Sequence, residues 1–307
     1  MELTRKHWLL ALLAGVLLGL LGVLLLMRSE PRPQAQPEAP GSPAATPTPV
    51  TETAPPEPTL SPLPTPDPAG EALTAFASQQ PGRWSLAWQR LPAGEPILVA
   101  TDEEPMVSAS LIKLYIMGAV YERLESGALE HEEAYPLLFA MITCSDNASA
   151  NTLIRLLGDG DETAGMAAVN DWCAREGYTQ TRLNRLMLRD NGLQNYTTAG
   201  DCAAMLSAIY RGDCVSADAS REMLSLLLAQ TVNDRLPLGL PEGTPIAHKT
   251  GDLVGLCWAD VGIVYSPGGD YILCVISDGT PSEREAKDAM GALSAQVYGI
   301  VNPEVAP

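Results

Sequence analysis

Residues 31–69 carry fourteen prolines among Ala, Thr, Ser, Gln and Glu, with almost no large apolar side chain. Such a stretch cannot assemble a core. Proline removes backbone donors, and the remaining side chains offer too little apolar area to offset the entropy of ordering them. The segment reads as an extended linker of polyproline II character. At roughly 3.1 Å per residue it could hold a domain up to about 100 Å from whatever precedes it. The cooperative fold is therefore expected on its C-terminal side, over residues 71–303.

On the other side of the linker, residues 8–27 (WLLALLAGVLLGLLGVLLLM) are uncharged and apolar. About 20 helical residues at 1.5 Å each match a hydrocarbon core of roughly 30 Å. Arg5, Lys6 and His7 precede the run, and Arg28 and Arg32 follow it. This slight bias places residues 1–7 in the cytoplasm. A cleaved signal peptide is the competing reading, but Leu26-Met27-Arg28-Ser29-Glu30 offers no small-residue cleavage site. The expectation is a single-pass protein of the cell membrane, anchored through 8–27, with its folded domain outside the cytoplasm.

The whole chain has 19 Lys plus Arg against 37 Asp plus Glu, a formal charge of -18. Nucleic-acid binding needs a basic face to neutralise phosphates, so that class is set aside. Cys144, Cys173, Cys202, Cys214, Cys257 and Cys274 show no CxxC spacing, so neither a metal centre nor another cofactor is expected. A helix between Cys202 and Cys214 would hold their Cα atoms beyond the roughly 7 Å that a disulfide tolerates. Mostly free, buried thiols are expected, in a monomer.

Two β-like runs, 84–91 and 97–101, open the domain around Pro92-Ala93-Gly94-Glu95. Apolar residues at helical spacing follow over 110–124, 147–157, 165–176, 199–210 and 220–230. Strand patterns return at 246–250, 257–265 and 271–277, and a helix over 282–301 ends the domain. This order predicts an α+β fold in which an antiparallel sheet, built from both chain ends and flanked by helices, lies beside an all-helical lobe. The cleft between the two is a natural site.

Three short patterns carry chemistry. Ser110 and Lys113 share one face at the opening of a helix, where a lysine whose pKa is lowered by burial can take the serine proton. Alone, a Ser and Lys at this spacing is common on solvated helices. Ser145-Asp146-Asn147 stands at a loop-to-helix junction, where a plain N-cap explains it equally well. Lys249-Thr250-Gly251 ends a strand: Lys249 and Thr250 could hold a carboxylate, and Gly251 allows close backbone approach. Lysine usage strengthens all three readings, because Lys113, Lys249 and Lys287 are the only lysines after residue 70. An amine can titrate where guanidinium cannot.

With SxxK, SDN and KTG in that order, the chain resembles the class A β-lactamase and penicillin-binding protein group. The likeness extends to Thr181-Arg182-Leu183-Asn184-Arg185, which looks like the start of that family's omega loop, and to Leu240-Pro241-Glu242-Gly243 ahead of KTG. It covers about 84–298 and implies a β-lactamase/transpeptidase-like fold. It also implies Ser110 as nucleophile, Lys113 as the group that takes or relays its proton, and Ser145 as proton shuttle to the leaving nitrogen. Asn147 would orient the acylamide side chain, and Lys249 and Thr250 would bind the substrate carboxylate. The backbone N–H groups of Ser110 and Asp252 would form the oxyanion hole. Arg235 is a further carboxylate contact in one reading and a surface arginine in the plainer one.

Two departures stand out. The family places a deacylating glutamate two residues after the omega-loop arginine; here that residue is Met187, and the nearest carboxylate, Asp190, is displaced. The interval from Ser110 to Ser145 is also short, which implies a trimmed helical lobe and a more open cleft. The resemblance thus implies a penicillin-recognising serine hydrolase of β-lactamase type, acylated on Ser110 and slow to deacylate. A D-alanyl-D-alanine carboxypeptidase or related peptidoglycan enzyme acting on stem peptides is the alternative. A β-lactam-sensing or wall-binding module without turnover is the reading from another class.

Overall fold

A helix begins where the sequence reading still placed linker. Asp67 accepts a hydrogen bond from Ala69 N at 2.8 Å, Pro68 occupies the first turn, and α1 runs Pro68–Gln79. Pro lacks an N–H that this position would leave unbonded anyway, so it initiates the helix instead of breaking it. The computed structural model describes residues 67–101 and 104–304. The apolar run 8–27 and the proline-rich stretch up to residue 66 lie outside the described residues. No helix among the described residues is long and apolar enough to cross a membrane.

Five strands form one antiparallel sheet in the order β2-β1-β7-β6-β5. These are β1 (Arg83–Arg90), β2 (Ile97–Ala100), β5 (Ile246–Leu253), β6 (Cys257–Val264) and β7 (Tyr271–Asp278). The sheet is drawn from both ends of the chain, as the sequence order predicted, and β1 pairs with β7 from Arg83↔Asp278 to Arg90↔Tyr271. Alternation sorts the two faces of β7. Tyr271, Leu273 and Val275 pack toward α1 and the C-terminal helix α8 (Glu283–Val301), whereas Ile272, Cys274 and Ile276 pack toward the helical lobe. Because both faces are covered, β6 is buried along its whole length.

The lobe comprises α2 (Ile112–Glu125), α3 (His131–Thr143), α4 (Asn147–Leu157), α5 (Glu162–Arg175), α6 (Ala199–Arg211) and α7 (Ala217–Leu228). Helix α3 is absent from the sequence reading. Pro136 lies within it and cannot donate to the preceding turn, so the segment does not read as helix locally. Its apolar stripe Ala134, Leu138, Met141 and Ile142 is nevertheless fully buried. Helix α2 is buried along Ile112–Tyr121 and forms the centre of the lobe. Gly118 lets Trp172 of α5 approach it, since a Cβ there would lie 2.1 Å from the Trp172 ring. The two-stranded ribbon of β3 (Met106–Val107) and β4 (Tyr196–Thr197) joins the segment before Ser110 to the end of the omega-loop region.

All six cysteines are free; Cys144 is exposed and the other five are buried.

Candidate active site

Ser110 sits in a single 3-10 turn, Ala109–Leu111, directly ahead of α2. Ala109 carries φ 43 and Ser145 φ 60, both in the left-handed region that disfavours side chains. Such residues cost about 1–3 kcal/mol each and persist where surrounding contacts over-determine them. Here the two strained residues bracket the lysine between them.

Lys113 has no solvent exposure. Its Nζ donates to Ser110 Oγ (3.0 Å), Ser145 O (2.6 Å), Ser145 Oγ (3.1 Å) and Asn147 Oδ1 (2.8 Å). Burial lowers its pKa to about 8, opposed by the charges of Asp146 and Cys144. A base in that range has an appreciable neutral fraction near physiological pH.

The N-cap reading of the second motif is correct without displacing the chemical one. Asp146 caps α4 through Ser149 N at 2.6 Å, which lowers its pKa, and the residues on either side of it turn toward Lys113. A strained Ser145 and a helical Asn147 are thus both fixed by a capping carboxylate between them.

Strand β5 is a sheet edge and packs against the turn that bears Ser110. Lys249, fully buried, donates from Nζ to Ser145 Oγ (3.0 Å) and Thr250 O (2.9 Å). Burial, then the charge of Lys113, holds its pKa well below that of a free lysine. Ser110 Oγ, Lys113 Nζ, Ser145 Oγ and Lys249 Nζ therefore form one continuous hydrogen-bonded series. Gly251 is the point of closest approach: a Cβ there would lie 3.2 Å from both Ser108 O and Leu111 Cγ, in the turn that carries Ser110. Thr250, between Lys249 and Gly251 in the strand, is buried.

Asp252 lines the cavity that opens on Ser110, together with Asn147, Met187, Leu188 and Asn195. That cavity measures about 100 Å³. Leu188, 83% exposed with φ 59, stands at its mouth.

Arg235 corrects the sequence reading most sharply. It is not on the surface but fully buried, with Nη2 paired to the Asp252 carboxylate and Nη1 3.1 Å from Asp234 Oδ1. Its backbone is fixed from the next residue. Leu236 N donates to Asp260 Oδ2 (3.2 Å), whose other oxygen lies 2.9 Å from His248 Nδ1. Local sequence gave no sign of this, because every partner except Asp234 is distant along the chain.

Two asparagines also escaped the sequence reading. Asn151, one turn into α4, brackets Met187 by accepting from Met187 N (2.8 Å) and donating to Met187 O (3.0 Å). Asn195 Oδ1 accepts from Asn184 N (2.8 Å) and Arg185 N (3.0 Å), and Ser108 N donates to Asn195 O at 2.8 Å. Together they seat residue 187 at the cavity wall and tie the loop to the turn bearing Ser110. Asp190, by contrast, is exposed, is held by Gly192 N at 3.1 Å, and does not line the cavity. Among the described residues no cluster of His, Cys, Asp and Glu could hold a metal.

An antiparallel sheet from both chain ends, a helical lobe, and a Ser-Lys-Ser-Lys series at their junction define the β-lactamase/transpeptidase-like class. The model of the β-lactamase enzyme family matches residues 68–137 and 133–301. The chain belongs to that family. β-Lactamase AST-1 of Nocardia asteroides is 29% identical over 178 residues, covering 57% of this chain and 56% of that protein. β-Lactamase FAR-1 of Nocardia farcinica is 28% identical over 157 residues, covering half of each. The chain thus spans about half the length of the curated relatives it matches. The solved structure of PBP-A shares the fold, with a TM-score of 0.67 at 24% identity over 76% of this chain and 96% of that one.

Proposed function

We propose that this protein is a serine hydrolase of β-lactamase type that is acylated on Ser110 by β-lactams. The observation that carries the reading is the hydrogen-bonded series from Ser110 Oγ through Lys113 and Ser145 to Lys249. Ser110 Oγ attacks the carbonyl carbon and forms the ester bond. Its proton passes to neutral Lys113, then through Ser145 to the nitrogen released as the amide bond breaks. The N–H groups of Ser110 and Asp252 receive the oxyanion, a contribution worth about 10²–10³ in rate per donor in comparable sites. Lys249 and Thr250 face the leaving side of the substrate, and Asn147 its acylamide side. Water then hydrolyses the ester, but no carboxylate lines the cavity at the omega loop to activate it, so release is slow.

The buried Met187 supports a second reading, a D-alanyl-D-alanine carboxypeptidase whose encounter with a β-lactam ends in a long-lived ester. The apolar run 8–27 and the proline-rich stretch support a membrane-tethered domain acting outside the cytoplasm. Incubating the full chain with a chromogenic cephalosporin, while following colour and intact mass, tests these readings. Sustained turnover supports the hydrolase. A stoichiometric adduct together with D-alanine release from a pentapeptide supports the peptidase. An adduct that persists in Ser110→Ala removes both.

A further inference from the structure

Leu188 combines two unfavourable features. Its backbone is left-handed, a region that a bulky side chain rarely adopts, and its side chain is left largely in water. Packing of that side chain relieves neither, so the backbone around it must hold the conformation. Asn151 clamps Met187 from both sides. Arg189 N donates to Leu186 O (3.3 Å), closing a turn over residues 187 and 188. Arg185 Nη1 then ties the ends of that turn together by donating to Leu186 O (3.3 Å) and Arg189 O (3.1 Å). Strain kept in place by surrounding contacts clusters at functional sites.

The cavity that opens on Ser110 shows what this leucine can serve. Leu188 lines it, as does Leu253 at the end of β5, and Val254 beside Leu253 is 84% exposed. Asn147, assigned above to the acylamide side, is in the same wall, whereas Lys249 and Thr250 are not. The cavity is therefore the acyl side of the site. Its volume of about 100 Å³ matches only about three waters of the liquid, too little for a long acyl side chain. Such a chain must run out over the mouth, where it meets Leu188. The charged residues of the wall are already engaged, Asp252 with Arg235 and Arg185 with Gln194 Oε1 (2.9 Å) and two carbonyls. What the mouth offers a passing group is apolar area. We propose that Leu188, together with Leu253, is a specificity determinant: the pair forms an apolar rim that makes the site favour acyl donors whose side chain ends in an aryl or alkyl group over those with a short or polar one. The inference rests on the acyl-transfer reading for the identity of the substrate.

Two penicillins that differ only in the acyl side chain, phenylacetyl and acetyl, test it on the full chain. The phenylacetyl compound is expected to acylate Ser110 about tenfold more efficiently or better. Leu188→Asn removes the apolar contact yet suits a left-handed backbone better than leucine does. Its melting temperature should hold or rise while the advantage falls to within about threefold. Leu188→Met, which keeps an apolar side chain, should retain the advantage. A leucine that served only the folding of the loop would leave the advantage intact in Leu188→Asn. In a Ser110→Ala background, the affinity ratio of the two compounds, read by calorimetry, should fall in the same way on Leu188→Asn. No advantage in the parent protein, or one unchanged by Leu188→Asn in both measurements, overturns the proposal. A shifted affinity ratio in protein that neither compound acylates keeps the rim and overturns the acyl-enzyme reading alone. If neither compound binds or acylates, both fall.

Discussion

The side-chain nitrogens of Lys113 and Lys249 converge on one hydroxyl, lying 3.1 and 3.0 Å from Ser145 Oγ. Two ammonium groups so close in a buried site repel each other, and the charge of Lys113 is among the causes that lower the pKa of Lys249. The site therefore favours a state in which one of the two amines is neutral. Lys113, which also reaches Ser110 Oγ, is placed to be the base.

The rate at which Ser110 is acylated should rise with pH and level off above a midpoint near 8, the value to which burial lowers Lys113. Single-turnover acylation between pH 6 and 10 measures it. Lys113→Arg, whose guanidinium stays charged throughout, should lose at least about 10²-fold in rate and the inflection with it. A flat profile in the parent protein would count against Lys113 as base.

The same lysine makes a stability prediction of definite sign. Its folded pKa of about 8 lies below the 10.5 of a free lysine. Between those values the unfolded chain holds a proton that the folded chain does not, so this residue's contribution to stability rises with pH across that window. Relative to Lys113→Met, the parent protein should gain about 3 kcal/mol between pH 8 and 10.5. Paired denaturant melts at the two pH values read the difference directly.

If release of the acyl group is slow as proposed, Met187→Glu should convert it into turnover, because Asn151 holds the backbone of residue 187 on both sides and Met187 lines the cavity wall. Deacylation should accelerate by at least tenfold, within the 10²–10⁴ range typical of a positioned general base. The check is burst amplitude against steady-state rate. Adding Asn151→Ala should remove most of the gain, because the base is then no longer held in place.

Gly251→Ala is expected to lower acylation about tenfold or more with a smaller effect on melting. The new Cβ would press on Ser108 O and Leu111 at 3.2 Å and displace the Ser110 turn from β5. Gly118→Ala should do the reverse. A Cβ within 2.1 Å of the Trp172 ring overpacks the helical lobe, costing roughly 1–3 kcal/mol, while the distances around Ser110 are set elsewhere. Melting temperature and labelling rate together separate the two.

Ser110, Lys113, Ser145, Asn147 and Lys249 were legible in the sequence because each belongs to a short motif whose members are fixed by one turn of backbone. The sheet and most of the lobe were legible for a similar reason, since periodicity is written into consecutive residues. Helix α3 was not, because Pro136 disrupts its local pattern while burial of Ala134, Leu138, Met141 and Ile142 holds it helical. The start of α1 was hidden by prolines that continue the linker's composition into the helix cap. Arg235 shows the boundary most clearly. An arginine followed by Leu-Pro-Leu-Gly reads as surface, and only a fold that brings β5 beside it supplies Asp252 and the burial. The sequence by itself determined which residues could make a Ser-Lys chemistry, through motif spacing and the scarcity of lysine. Tertiary structure alone decided the burial that lowers the pKa of Lys113 to about 8, the meeting of two lysines at Ser145, and the pairing of Arg235 with Asp252 at the cavity that opens on Ser110. Desolvation and long-range ion pairs depend on what is near in space, which separation along the chain does not record.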